Sequence, residues 1–105
     1  MPHYMVQYWD RPGSGPLRAP NREAHIAYRI ALGPKLVLAG PLFDDFNDAP
    51  PLGTVVILDA SSKAEAKRVA LEDPYYKAGV FERVDVYAHR ILALNPPPRG
   101  STSSP

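Results

Sequence analysis

Tyr4, Val6 and Tyr8 alternate with His3, Met5, Gln7 and Trp9. A period of two over these residues predicts a first strand from His3 to Trp9, with bulky side chains on both faces. Asp10 to Pro20 holds three prolines and two glycines and reads as a loop. Asn21 then offers an N-cap and Glu23 a first-turn carboxylate. The helix they open should run to about Leu32 and stop at Gly33-Pro34. His25, Tyr28 and Leu32 share one of its faces at helical spacing. A short second strand is expected over Lys35 to Pro41, an acidic, proline-containing hairpin loop over Phe43 to Leu52, and a third strand over Gly53 to Ala60 around Thr54-Val55-Val56-Ile57-Leu58. Ser62 and Glu65 form a capping box for a second helix. Asp73-Pro74 breaks that helix, because proline disfavours helical geometry at the residue before it. A short turn follows over Tyr75 to Gly79, and a long last strand over Phe81 to Leu94.

The predicted order is strand, helix, strand, strand, helix, strand, the split βαβ or ferredoxin-like unit of an α+β fold. Two right-handed crossovers put both helices on one face of an antiparallel sheet. The other face stays apolar with no chain left to cover it, so a homodimer built as a dimeric α/β barrel is expected. The domain should occupy residues 1–94. Asn95 to Pro105, proline-led and serine-rich, is expected to be a disordered tail.

Composition narrows the function more than the fold. The chain has 105 residues, enough for one domain, and its 12 basic and 11 acidic side chains nearly cancel. No run of basic residues exceeds Lys67-Arg68, so neither nucleic acid nor an anionic membrane is an expected partner. No apolar stretch approaches the roughly 20 residues that span a bilayer. No basic-then-apolar leader is visible. The absence of cysteine removes thiolate metal sites and a cysteine nucleophile, and it fits a reducing, cytoplasmic location.

Three segments carry residue types suited to chemistry. Arg22-Glu23-Ala24-His25 places an imidazole about one turn into the first helix, with Arg22 one turn earlier on the same side. Taken alone, His25 reads more readily as a packing residue. Glu72-Asp73-Pro74 sets a carboxylate at a helix C-terminus, where the dipole disfavours it and a cationic partner is expected. Ala39-Gly40-Pro41-Leu42 leaves the second strand with a glycine that admits a close neighbour. No spacing suits zinc, no glycine loop cradles phosphate, and Asp44, Asp45 and Asp48 lack the glycine and terminal glutamate of a calcium loop. No metal or organic cofactor is expected.

In this order, Arg-x-x-His, Ala-Gly-Pro-Leu, Asp-Pro-Tyr and then Gly79 resemble the YCII-related family over roughly Tyr4 to Ile91. The resemblance implies a ferredoxin-like domain that pairs into a dimeric α/β barrel, similar in fold to muconolactone isomerases. It also implies a histidine and an aspartate in an active-site cleft, and one kind of relative removes chloride from a chlorinated hydroquinone. Carried onto this chain, the pair is His25 and Asp73, and the Gly-Pro motif is Gly40 and Pro41. Asp85-Val86-Tyr87 departs from the more usual Arg-Pro-aromatic pattern of the last strand.

Together these features lead to a small-molecule enzyme in which Asp73 orients His25 and His25 moves a proton. Isomerisation or elimination on a cyclic, aromatic-derived ligand is the expected class. Arg22 and Tyr28 are candidates to bind a substrate anion or hydroxyl. The alternative is a non-catalytic module that binds a small ligand or another protein, which shares every feature of the fold. A further alternative uses Pro2 as a secondary-amine base once Met1 is removed.

Overall fold

The computed structural model of the chain describes residues 2–95. Four strands, β1 (His3–Asp10), β2 (Leu36–Leu42), β3 (Gly53–Asp59) and β4 (Phe81–His89), form one antiparallel sheet in the order β2-β3-β1-β4. Helices α1 (Arg18–Ala31), α2 (Lys63–Leu71) and the short α3 (Pro74–Lys77) supply the crossovers. This is the ferredoxin-like α+β fold expected from the pattern of apolar positions. The faces of β1 divide as its period dictates. Val6 and Tyr8 enter the core with Val56 and Leu58 of β3 and Phe81 and Val86 of β4. On the other face, the register aligns Leu38, Ile57, Met5 and Tyr87 in a row across all four strands. Gly53 is required where β3 meets β1, because a Cβ there would collide with the Tyr8 carbonyl.

Three boundaries differ from the sequence reading. Helix α1 starts at Arg18, with Leu17 as its N-cap. Pro20 therefore lies in the first turn, where the missing N–H would have had no intrahelical partner. Asn21, read as the cap, lies inside the helix and donates from its side chain to the Leu17 carbonyl. Strand β4 ends at His89, not Leu94, because His89 already pairs with His3, the first residue of β1. Asp73 does not cap the end of α2. That end is Glu72, and Asp73 is the N-cap of α3, accepting from the Tyr75 amide with Pro74 at the first helical position. A carboxylate there is favoured by the dipole. Half of the capping box of α2 forms as read, Ser62 Oγ accepting from the Glu65 amide, while the Glu65 carboxylate accepts from the amide and hydroxyl of Ser61 instead of the Ser62 amide. Most of the proposed tail, residues 96–105, lies outside the described residues.

The sequence allows no disulfide, and among the described residues no group of three or more histidine, aspartate or glutamate side chains could hold a metal ion. No helix there is long and apolar enough to cross a membrane.

Candidate active site

The site begins with the turn between α2 and β4. Asp73, one residue past the Glu72 cap of α2, is extended, and Pro74 starts α3 at once. Gly79, at φ 88°, then closes α3. The Val80 amide donates to the Tyr75 carbonyl and the Gly79 amide to the Tyr76 carbonyl, the two bonds of a Schellman stop. This short helix fixes the Asp73 carboxylate beneath α1 and fully buries it.

Two side chains of α1, one turn apart, converge on that carboxylate. His25 Nδ1 lies 2.8 Å from Oδ1, and Arg29 Nε donates to Oδ2 at 2.8 Å. The Tyr75 amide also donates to Oδ1, at 2.9 Å. Burial alone would raise the carboxyl's pKa. The His25 hydrogen bond, the Arg29 guanidinium and the Tyr75 amide outweigh it and hold Asp73 below the usual carboxylate range. An ionised carboxylate only accepts, so Nδ1 donates the proton of the shared bond. Nε2 has no hydrogen-bond partner among the described residues. The Tyr75 ring stacks on the imidazole, centroids 3.8 Å apart and planes 7° apart, which sets the ring's rotation.

His25 opens onto a cavity of about 390 Å³ between α1 and the β2–β3 side of the sheet. Its walls are Ile26, Ile30, Leu36, Ala39, Pro41 and Tyr75, with Gly40 and Thr54 on the sheet side and Arg18, Arg22 and Arg29 from α1. Of the residues singled out in the sequence, His25, Arg22, Gly40 and Pro41 thus line one cavity, and Asp73 lies behind His25. Tyr28 does not line it. Its hydroxyl donates to the Val69 carbonyl and ties α1 to α2. Pro2 borders a different cavity, with His89 and Arg90.

Arg29 is a residue of the candidate site that sequence reasoning missed. It lies four residues after His25 and therefore on the same helix face. That spacing was visible, but a buried arginine is rare, and nothing in the sequence marks which one will find a carboxylate. Arg18 was also missed, because its segment reads as loop. It donates to Asp10 at 2.7 Å, and its guanidinium lies 5.2 Å from the Tyr75 ring centroid.

The model for the YCII-related domain matches residues 2–90. The chain is 30% identical to 5-chloro-2-hydroxyhydroquinone dehydrochlorinase of Burkholderia phenoliruptrix AC1100, solved in complex with 2,5-dihydroxybenzoquinone. The superposition covers 84% of this chain and 93% of that one, with a TM-score of 0.74. A NIPSNAP family protein of unknown function from Agrobacterium tumefaciens is 16% identical with a TM-score of 0.51, covers 90% of both chains, and shares the fold. Among curated proteins, none matches. The chain belongs to the YCII-related domain family.

Proposed function

We propose that the protein is a small-molecule enzyme in which His25 transfers protons on a ring compound bound in the α1 cavity. The observation that carries this reading is the Asp73–His25 contact. With Nδ1 donating to Asp73, Nε2 is the nitrogen available to act as base, and His25 lines a mostly apolar cavity of single-ring size. In the forward step Nε2 accepts a proton from the substrate, and the imidazolium that forms is stabilised by the buried Asp73 carboxylate. In an isomerisation the same proton returns at another ring atom. In an elimination on a hydroxylated ring, a hydroxyl proton moves to the chlorine-bearing carbon to give the keto form; loss of a second hydroxyl proton then turns its O–H pair into a carbonyl, the ring π electrons shift, and chloride departs with its own pair. The similar dehydrochlorinase acts on a chlorinated hydroxyhydroquinone, which supports elimination on an oxygenated ring.

The same reading includes a homodimer. The row Leu38, Ile57, Met5 and Tyr87 leaves Leu38 at 45% and Tyr87 at 53% exposure, and apolar surface favours burial at about 25 cal/mol per Å². A second copy packing sheet to sheet covers it. Sedimentation as a monomer at micromolar concentration would remove this part of the proposal.

The test of function is turnover of chlorinated and unchlorinated hydroxyhydroquinones, followed by chloride release and ring absorbance. The expected result is activity that falls at least about a hundredfold in His25→Ala, the scale of one general acid–base group. Ligand binding with no turnover by the wild type would favour the non-catalytic module instead.

A further inference from the structure

The proton-transfer reading employs the imidazole and leaves the cations of the same cavity without a task. Arg18, Arg22 and Arg29 all line it, and no carboxylate does. Arg18 is partly neutralised by Asp10 and Arg29 by Asp73. Arg22 has no ion-pair or hydrogen-bond partner among the described residues. Arg29 is nine-tenths buried, and its Nη2 has no hydrogen-bond partner among the described residues. A neutral apolar ligand would leave the cavity's positive charge uncompensated, and Arg22 is the cation there with no partner of its own among the described residues.

We propose that the cavity selects an organic anion, a ring carboxylate whose charged group rests on Arg22 while the ring lies among Ile26, Ile30 and Pro41. This rests on the reading of the cavity as the substrate site. Three features favour a carboxylate over a neutral ring. A guanidinium presents two parallel N–H donors that fit its two oxygens. The walls away from the arginines are apolar, which suits an uncharged ring body. Arg22 and His25 are three residues apart on one helix, with Cβ atoms roughly 5–6 Å apart at that spacing. An acid held by Arg22 therefore sets the ring carbons next to its carboxyl beside the imidazole.

The probe is benzoate, with benzamide as its neutral counterpart of nearly the same shape, followed by NMR of the His25 ring protons. Benzoate is expected to shift those signals and to bind at least about tenfold more tightly than benzamide, the scale of one charge-assisted contact. Its affinity should fall with added salt and fall about tenfold in Arg22→Gln, with Arg22→Lys recovering only part because lysine lacks the fork. Arg22 is exposed, so these variants should fold as the wild type does. Equal binding of benzoate and benzamide, benzoate binding that leaves the His25 signals unmoved, or affinity unchanged in Arg22→Gln would each overturn the proposal. The two readings fail separately. Turnover that survives His25→Ala while benzoate still binds through Arg22 defeats only proton transfer by His25. Turnover that depends on His25 with no preference for the anion defeats only the proposal made here.

Discussion

Helix α2 presses Ala66 and Ala70 into the core, 0% and 1% exposed, against β1 and β4. Helix α1 lies over the same face of the sheet and buries no apolar side chain to that degree. Its single buried residue is Arg29, and Ile26 and Ile30 are 48% and 61% exposed. It packs chiefly on α3 and is tied down by polar contacts: His25 and Arg29 to Asp73, Tyr28 to the Val69 carbonyl and Arg18 to Asp10. Small alanines let one helix sit close to the sheet. Long side chains bonded at their tips hold the other away from it, and the space left beneath becomes the cavity. The site thus follows from how α1 is attached, and the same carboxylate that orients His25 also anchors the helix that carries it.

The sharpest way to break this contrast is Asp73→Ala. It leaves Arg29 buried without a counter-charge and removes the partner of His25. The expected loss is about 3–5 kcal/mol of folding stability in urea denaturation, the scale of a broken buried ion pair. The same contact sets the acid limb of stability. The folded Asp73 carboxyl lies below its ordinary value of 3.8, so its contribution is complete above that pH and is lost as pH falls through the folded value. Hydrogen exchange should show the amides of α1 losing protection on acidification before those of α2. A simultaneous loss would mean that α1 rests on packing after all.

A smaller effect is expected from enlarging matched alanines. Ala66→Leu overfills the contact between α2 and the sheet and should cost about 1–3 kcal/mol. Ala27→Leu, on the exposed side of α1, should change stability by less than about 0.5 kcal/mol. Equal costs in thermal melts would erase the distinction between the helices.

That distinction also explains which parts were legible in the sequence. Periodicity reads apolar burial, so β1, β3 and α2, whose alternating or capped patterns point into the core, were placed to within a residue or two. The attachment of α1 is written in charged side chains whose partners are remote. Arg29 meets Asp73 from 44 residues away, and no local pattern encodes that pairing. The start of α1 was obscured by Pro16 and Pro20, which read as loop residues until one sees that a first turn tolerates proline. Asp73 was read as the end of one helix when it begins the next, because the Asp-Pro signal marks a boundary without saying which side the carboxylate serves. His25 and Asp73 were singled out by the order of several loose motifs, since the residue chemistry of His25 alone favoured packing and that of Asp73 alone a helix stop.

Ile30 offers the mildest test of the contrast. An apolar residue one turn beyond Ile26 on an amphipathic helix would ordinarily be assigned to the core, where removal of its side chain costs about 2–5 kcal/mol. Here it is 61% exposed and borders the cavity. Little apolar surface returns to water in Ile30→Ala, and alanine has the better helix propensity by a few tenths of a kcal/mol. The two effects nearly cancel, and the expected change in stability is within about 0.5 kcal/mol of zero. Ligand affinity should move instead. If the ring of a bound compound covers about one methylene's worth of this side chain, its removal weakens binding several-fold, at about 0.8 kcal/mol per buried methylene. Urea denaturation and benzoate titration of the same variant separate the two quantities. A stability loss above 2 kcal/mol would show that Ile30 is core and that α1 is packed like α2.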